Sequence, residues 1–326
     1  MTEVSDAEIG AAVARLRAGG LVAMPTETVY GLAADASNDS AVRALFALKG
    51  RPANHPVIVH LPDAGHLLRW AASVPAIARQ LAQHFWPGPL TMVLPRAPGV
   101  SNLITGGQDS VGLRVPAHPV ALRLLAKFGA GLAAPSANRY GQVSPTTALH
   151  VRSEFTAELP MILDGGPCPV GIESTIVDLR DGQIRLLRPG FIAVAQLQDC
   201  AATVPGVQVF LAPASNSLRV PGSAATHYAP NTPVRLVATA MLASVLLDYH
   251  RSGVEVAVLA FGPASDWPQN WISAQCEPAD YARQLYARLR SLDAVGCDAI
   301  VVELPPNSPD WLAVQDRLSR AATPVT

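Results

Sequence analysis

Short apolar runs that alternate with helical patterns restrict the fold of this chain more than any other feature of its sequence. The runs expected to form strands are LVAMP (21–25), PVIVHL (56–61), LTMVLP (90–95), VGLRVP (111–116), GLAAPS (131–136), MILDGG (161–166), STIVDL (174–179) and QIRLL (183–187). Helical periodicity covers about 6–18 and 40–50, with further stretches near 64–71, 75–85, 118–128 and 146–154. Strands interspersed with helices are typical of α/β proteins, so the pattern predicts a mixed α/β domain over residues 1–200.

The pattern changes between residues 201 and 233, where Pro, Ala, Ser and Asn are frequent and no period is sustained. Such a composition is typical of a linker. Between residues 234 and 326 strands and helices alternate again, as VRLVA, a helix at 239–251, VEVAVLAFG, a helix at 279–294, DAIVVELP and a helix at 309–322. This order predicts a small Rossmann-like parallel sheet. Because it has no GxGxxG motif, no dinucleotide is assigned to it.

Composition narrows the class of protein. The chain has 326 residues, of which 49% are hydrophobic, so it can bury enough apolar surface to fold. Its 24 basic and 25 acidic residues nearly cancel, so we expect no strong direct binding to nucleic acid. The 4 cysteines have neither zinc-site nor disulfide-framework spacing, and no long uncharged apolar run occurs. We therefore expect a cytoplasmic protein that does not enter membranes.

Polar residues repeatedly stand beside the predicted strands of the first domain. PTETVYG follows the first strand, PSAN follows GLAA, and GIES precedes TIVDL. Each of these segments alone is more often a turn or a helix cap. Because ligand sites of open α/β sheets gather at strand ends, their joint occurrence predicts one binding site.

Cations stand at similar positions. KGRP places Lys49 and Arg51 at the end of the second helix, while Arg114 and Arg188 belong to the ends of apolar strands. A compact ammonium and a planar guanidinium together suit a polyphosphate. A basic residue at a helix C-terminus is also favourable without any ligand, so both interpretations stay open for Lys49 and Arg51 at this point.

A series of motifs identifies a resemblance to a known family. They are PTETVYGLAADA, KGRPANHPVIVHL, WPGPLTMVLP, SVGLRVPAHP, GLAAPSANRYGQVSPT, DGGPCPVGIESTIVDL and RLLRPG. Their residues and order resemble the YrdC-like family, the threonylcarbamoyl-AMP synthases, from about residue 20 to 190. The segment with HYAP and the α/β tail resemble the long, two-domain members.

The resemblance implies a twisted open α/β domain with a basic cleft, followed by the small Rossmann-like domain. It also implies a nucleotidyltransferase that condenses L-threonine, bicarbonate or CO2, and ATP to threonylcarbamoyl-AMP and pyrophosphate. Mg²⁺ would be the cofactor that accompanies ATP. The product serves adenosine modification in tRNA, so the implied partner is the complex that transfers the threonylcarbamoyl group to tRNA.

Matching positions carry the family's site residues onto this chain. The implied catalytic residues are Lys49 and Arg51. The implied ATP contacts are Lys49, Arg51, Ser110, Ser136, Asn138, Ser144, Arg188, His227 and Tyr228. The implied contacts of threonine and bicarbonate are Thr26, His60, Arg114, the backbone of Ala134, and Ser174. Arg114 is the expected partner of the amino-acid carboxylate, because a guanidinium binds a carboxylate bidentately. No metal ligand is assigned.

Some of these residues keep a structural alternative. His60 would orient threonine, or it would be a hydrogen-bonded structural histidine. Glu27 would bind Mg²⁺, or it would accept a hydrogen bond from a loop amide. Residues 213–230, anchored by His227 and Tyr228, would form a lid over the nucleotide, although the basic residue usual after Pro221-Gly is missing. The alternative is a passive tether whose Tyr228 packs on the C-terminal domain, and a lid tyrosine is expected to be a surface residue.

Two other functions fit parts of the sequence. A carbamoyltransferase of the hydrogenase-maturation kind contains a similar domain, but it also carries zinc-finger cysteines, whose spacing this chain lacks. A non-catalytic RNA-binding module would use the basic cleft, but it would leave the expected pairings of Arg114 and of Ser174 with threonine unexplained. The synthase is therefore the favoured function.

Overall fold

The chain folds into two units, which we call the N-terminal unit and the C-terminal unit. The structure, a computed structural model, describes residues 4–159, 161–211, 218–222, 227–263 and 270–322. The N-terminal unit comprises Met1–Tyr140 and Pro145–Ser223, and the C-terminal unit comprises Gly141–Ser144 and Ala224–Thr326.

The N-terminal unit is built on one mixed sheet. Its strands are β1 (Val22–Met24), β2 (Gly31–Asp35), β3 (Val59–His60), β4 (Leu90–Pro95), β5 (Ser110–Arg114), β6 (Leu132–Ala133), β7 (Thr175–Asp178), β8 (Ile184–Arg188) and β9 (Val209–Leu211). They lie in the order β1-β2-β6-β3-β5-β4-β7-β8-β9. The pairs β3/β5, β4/β7 and β8/β9 are parallel, and the other pairs are antiparallel. Both strand directions therefore occur throughout the sheet.

The helices of this unit begin and end at the residues that the sequence chemistry favours. They are α1 (Asp6–Arg17), α2 (Asp39–Lys49), α3 (Leu67–Trp70), α4 (Ala76–Phe85), α5 (Asn102–Thr105), α6 (Pro119–Phe128), α7 (Ala148–Phe155) and α8 (Val194–Ala202). A capping box formed by Ser5 and Glu8 begins α1. Gly50 ends α2 in the left-handed conformation, at φ 64°, which glycine adopts without steric cost.

One face of the sheet is covered by α1 and α6. The buried side chains of Leu16 on α1 and Leu124 on α6 belong to one apolar cluster with Val22 of β1 and Leu132 of β6. Burial of such side chains is the main favourable term in folding, so this cluster holds the β1, β2 and β6 part of the sheet in place.

The structure differs from the sequence prediction at several segments. MILDGG forms no strand and contributes only an isolated bridge between Ala23 and Ile162. Gly31–Asp35 is a strand, although it lies where a polar loop was expected. Val209–Leu211 pairs with β8, so the predicted linker 201–233 begins with the end of α8 and an edge strand.

The C-terminal unit contains the predicted small parallel sheet. Its strands are β10 (Val234–Val237), β11 (Val256–Ala260), β12 (Asn270–Ser273) and β13 (Ala299–Glu303), in the order β10-β13-β11-β12. Its helices are α9 (Thr239–Arg251), α10 (Pro278–Asp293) and α11 (Leu312–Ala321). All three strand pairs are parallel, and β12 is a strand that the sequence patterns did not indicate.

A short excursion of the chain, Gly141–Ser144, also belongs to the C-terminal unit. The carbonyl of Gly141 accepts the N–H of Ala229 at 2.9 Å, and Arg290 of α10 donates to the carbonyl of Val143. The C-terminal unit is therefore assembled from two separate parts of the sequence. Among the described residues, no helix combines the length and apolar character that crossing a bilayer requires.

Candidate active site

Lys49, Ser136 and Asn138 come together in the structure. The Nζ of Lys49 donates to the carbonyl of Ser136 at 2.5 Å and to the carbonyl of Asn138, and the side chain is 2% exposed. Burial, and then the charge of Arg51, hold the pKa of Lys49 well below its usual range. A buried ammonium gains free energy from a nearby anion, so this site favours a negatively charged ligand.

The contacts of the Lys49 side chain are not those of a residue that caps the C-terminus of α2. The side chain reaches the Ser136–Asn138 loop, and Arg139 donates to the carbonyl of Leu48 in the last turn of α2. Arg51 lies just beyond the helix, where its Nη2 donates to the carbonyl of Pro56 at 2.6 Å and its guanidinium lies 5.7 Å from the ring of Tyr140.

Thr26 organises the loop that precedes β2. Its Oγ1 donates to the carbonyl of Val29 at 2.6 Å and accepts the N–H groups of Thr28 and Val29. The hydroxyl therefore closes a turn and presents Thr28 to Arg114, whose Nη1 donates to the Thr28 hydroxyl at 2.9 Å.

Arg114 ends β5 and is held on several sides. Its Nη2 lies 2.6 Å from Oε1 of Glu27, and its Nε donates to the carbonyl of Gly88 at 3.2 Å. The other carboxylate oxygen of Glu27 accepts the N–H of Ala117 at 2.9 Å. Glu27 thus accepts from a loop amide, as one of the sequence interpretations proposed, and it also forms an ion pair with Arg114.

His60 is the in-register neighbour of Arg114 in the sheet, so both side chains project from the same face. Its ring is buried, and its Nδ1 has no hydrogen-bond partner among the described residues. Burial, and then the positive charge of Arg114, lower the pKa of His60 to about 3. The imidazole is therefore neutral at physiological pH. A hydrogen bond with the backbone of Ile58 also acts on the pKa of this ring, so both sequence interpretations of His60 stay predictions.

Ser174 and Arg188 form a second polar group. Arg188 ends β8 and donates through Nη2 to both the carbonyl and the hydroxyl of Ser174, at 2.8 and 3.1 Å. The hydroxyl of Ser174 lies 2.7 Å from that of Thr91, and Nη1 of Arg188 donates to the carbonyl of Pro221 at 2.8 Å. Thr91 lies on β4, which is next to the β5 strand of Arg114 and separates it from β7 and β8, and Ser174 directly precedes β7.

The other predicted residues are more dispersed. Ser110 begins β5 and Arg114 ends it, so the two lie at opposite ends of that strand. The N–H of Ala134 donates to the carbonyl of Ile58 at 3.1 Å and is therefore engaged within the sheet. Ser144 is buried and belongs to the excursion assigned to the C-terminal unit.

His227 and Tyr228 lie within the C-terminal unit. Tyr228 is 1% exposed; its ring stacks on that of Tyr286 at 5.6 Å and lies 5.4 Å from the guanidinium of Arg317. The N–H of His227 donates to the carbonyl of Arg320. The expectation that Tyr228 lies at the surface is wrong. Its contacts are those expected if the segment is a tether whose Tyr228 packs on the C-terminal domain. Parts of the predicted lid, residues 213–217 and 223–226, lie outside the described residues.

Comparison with known proteins assigns the chain to a family. A family model described as telomere recombination, covering Sua5, YciO and YrdC, matches residues 14–190. A second model, described as the C-terminal domain of threonylcarbamoyl-AMP synthase, matches residues 192–323. Proteins named threonylcarbamoyl-AMP synthase from Pyrococcus abyssi and Bacillus subtilis are each 36% identical over 98% of this chain, which spans 95% and 94% of their lengths.

Solved structures agree with this assignment over both units. Pyrococcus abyssi Sua5 complexed with L-threonine is similar to this chain with a TM-score of 0.91 at 35% identity, covering 98% of this chain and 96% of that one. A variant of the same protein gives a TM-score of 0.89 at 36% identity, covering 96% and 92%. Since both family models and full-length relatives match, the chain belongs to the two-domain threonylcarbamoyl-AMP synthase family.

Proposed function

We propose that this chain condenses L-threonine, bicarbonate or CO2, and ATP to threonylcarbamoyl-AMP and pyrophosphate. The observation that carries the proposal is the match, over nearly the whole chain, to a synthase whose solved structure is complexed with L-threonine. The buried cations of the N-terminal unit support it, because negative charge on ATP and on two carboxylates is what these cations would neutralise.

The reaction needs orientation and charge stabilisation more than a protein nucleophile. The neutral amine of threonine adds CO2 and releases one proton to solvent as it becomes a carbamate. One carbamate oxygen then forms a bond to the α-phosphorus, and the bond from that phosphorus to pyrophosphate breaks. Pyrophosphate leaves with the electron pair of that bond. Cations at the phosphates lower the barrier because they meet the charge that develops on the leaving group.

For the nucleotide we propose Lys49 and Arg51 as the main cations, with Ser110, Ser136, Asn138, Ser144 and Arg188 as further contacts. The Nζ of Lys49 donates to the carbonyl oxygens of Ser136 and Asn138, and the charge of Glu154 also acts on its pKa, so an incoming phosphate would add negative charge to a buried ammonium. The Ser174 hydroxyl is shared with Arg188, which supports a site where ATP and threonine meet.

For threonine we propose that Arg114 binds the carboxylate, with Thr26, His60, Ala134 and Ser174 around it. A guanidinium has five N–H donors. Two are engaged by Gly88 and Thr28, while Glu27 forms an ion pair with Nη2, so N–H groups on Nη1 and Nη2 are left for a substrate carboxylate. Glu27 would then stay in place as the second partner of Arg114 while threonine binds.

For Mg²⁺ we propose entry with ATP rather than on a protein site. The described residues contain no group of three His, Cys, Asp or Glu side chains suited to a metal ion. Glu27 is engaged by Arg114 and by the N–H of Ala117, so it does not fit the role of a metal ligand. When bound, the ion would supply charge neutralisation at the phosphates.

We also propose that the product passes to a transferase that attaches the threonylcarbamoyl group to tRNA, in the cytoplasm. A mixed anhydride of a carbamate and a phosphate is labile in water, so a downstream acceptor enzyme is chemically required. The near-zero net charge of -1 favours small molecules over RNA as direct ligands of this chain.

One assay tests the proposed function. Pyrophosphate release from ATP is measured with L-threonine and bicarbonate, and again with each left out. We expect release only when both are present. Release that is indifferent to threonine would contradict the proposal, and affinity for duplex RNA with a steep salt dependence and no turnover would favour the RNA-binding alternative.

A further inference from the structure

A segment of the predicted linker is docked on the N-terminal unit. The side-chain amide of Gln108 accepts the N–H of Arg219 at 2.8 Å and donates to its carbonyl at 2.9 Å. Val220 packs in an apolar cluster with Ile58, Val93 and Ile176. Residue 219 is therefore held by backbone and packing contacts that do not depend on its own charge.

The Arg219 guanidinium reaches a crowded turn next to the Lys49–Arg51 segment. Its Nη2 donates to the carbonyl of Gly106 at 2.8 Å. Gly106 lies so close to the Asn54–Pro56 loop that a Cβ on it would come within 2.5 Å of the carbonyl oxygen of Asn54. Only a glycine permits this approach, which brings Arg219 to the loop that begins at Arg51.

His55 belongs to the same loop, between Asn54 and Pro56. Its Nδ1 is 3.1 Å from the hydroxyl of Tyr140, over whose ring Arg51 lies at 5.7 Å. Burial lowers the pKa of His55, and the charges of Arg51 and Arg219 lower it further. Among the residues that the structure describes, Arg219 has no acidic partner.

Like charges gathered in this way repel one another unless an anion lies between them. The most highly charged anion in the proposed reaction is the triphosphate of ATP, whose β- and γ-phosphates become pyrophosphate. We infer that Arg219 and His55, together with Arg51, form the binding site for the terminal phosphates of ATP and for the pyrophosphate that leaves. This inference rests on the proposed function for the identity of its ligand.

The site gives the linker a chemical role beyond connection. Arg219 comes from the segment that joins the two units, so occupation of the site by a polyphosphate strengthens docking of that segment. Arg219 is a cation that stands before Pro221 in the linker, whereas the residues between Pro221 and His227 include no basic residue.

Direct binding of inorganic pyrophosphate tests the inference by calorimetry on the full chain. Arg219→Gln should weaken pyrophosphate binding by about tenfold, as expected for loss of one charge-assisted contact, and leave AMP binding unchanged. Arg219→Lys should retain much of the affinity because it keeps the charge. The matched control is Arg69→Gln, which removes the same charge from an exposed position on α3 and should have no effect.

A second variant and a salt series distinguish a direct contact with pyrophosphate from a change in the structure of the site. His55→Asn should weaken pyrophosphate binding and not AMP binding, and the loss caused by Arg219→Gln should shrink as salt is raised. Wild-type affinity in Arg219→Gln, or equal losses of pyrophosphate and AMP, would overturn the inference. Because this measurement needs neither threonine nor turnover, its failure is distinguishable from failure of threonine-dependent pyrophosphate release.

Discussion

Nη2 of Arg114 lies 2.6 Å from Oε1 of Glu27, and their side chains are only 4% and 6% exposed. The contact is an ion pair whose angles fall outside those of a hydrogen bond. Removing one partner of a buried ion pair leaves the other charge in a medium that solvates it poorly. The pair therefore fixes the orientation of Arg114 before any substrate binds.

Glu27→Ala should lower the free energy of unfolding by about 3–5 kcal/mol, because the Arg114 charge then stays buried without its counter-ion. Urea unfolding measures this loss. Arg43→Ala, which breaks an exposed pair with Asp39, is the control and should change stability by less than about 1 kcal/mol. Equal effects of the two variants would show that the buried pair contributes no more than a surface pair.

Lys49→Ala should lower kcat/KM for ATP about tenfold or more by removing a charge-assisted phosphate contact. It should also lower stability by about 1–3 kcal/mol, because the carbonyls of Ser136 and Asn138 lose a buried donor. The chain offers a matched control in Lys127, an exposed lysine in the last turn of α6. Lys127→Ala should change neither quantity by much, and loss of stability without loss of activity in Lys49→Ala would exclude the phosphate contact.

His60 predicts a specific pH dependence of stability. Its pKa is about 3 in the folded chain and 6.5 as the ordinary value, so protonation favours the unfolded chain. The contribution of neutral His60 to the free energy of unfolding is fully present above pH 6.5, and it is lost as the pH falls towards 3. Between pH 7 and 5 the loss should be about 2 kcal/mol, and His60→Asn should abolish that part of the slope. Parallel stability curves for the variant and the wild type would mean that His60 has the same pKa in the folded and the unfolded chain, which would contradict the prediction.

Side-chain hydroxyls should contribute differently to substrate selection at Thr26 and Ser174. The enzyme should prefer threonine to serine by about 10–200-fold, the discrimination that one methyl group supplies. The Thr26 hydroxyl is used within its own turn, so Thr26→Val should reduce activity with threonine and with 2-aminobutyrate equally. Ser174→Ala should affect threonine more than 2-aminobutyrate if its hydroxyl also meets that of the substrate. Steady-state kinetics with both amino acids distinguishes these results.

Tyr228→Ala should destabilise the C-terminal unit by about 3–5 kcal/mol, because it removes a buried aromatic ring from between Tyr286 and Arg317. Tyr228→Phe keeps the ring and is the control for packing. Thermal unfolding measures both. A melting temperature unchanged in Tyr228→Ala would instead favour the lid, as would protection of the linker from proteolysis by ATP and threonine together.

Strong local patterns predicted most of the fold. α1 and α2 were recognised from their periodicity and caps, and LTMVLP forms β4 over all its residues. Gly31–Asp35 was missed because GLAAD has no β-branched residue, and it is a strand only because neighbours pair with it on both sides. MILDGG was predicted to be a strand because it begins with apolar residues. Its backbone pairs only through the isolated bridge between Ala23 and Ile162.

The resemblance grouped Lys49 with Ser136 and Asn138, and the structure brings the Lys49 ammonium to the carbonyls of both residues, while their contact with ATP stays a prediction. The partners of Arg114 were not predictable, because Glu27, Thr28 and Gly88 are distant in sequence and only the fold brings them to the guanidinium. Glu27 did carry a signal, since it stands in PTET beside residues assigned to the site. Burial of Tyr228 had no local signal, since its contacts come from α10 and α11.

The excursion Gly141–Ser144 means that no single cut along the chain separates the two units. A fragment that begins at residue 224 lacks the carbonyl that accepts the N–H of Ala229, and a fragment that ends at residue 223 retains those four residues without the backbone that holds them. Dissection into independently folding pieces therefore calls for a redesigned connection between Tyr140 and Pro145 as well as a new terminus. A chain that lost residues 224–326 would also need changes in the segment 141–144, which lies well before that terminus.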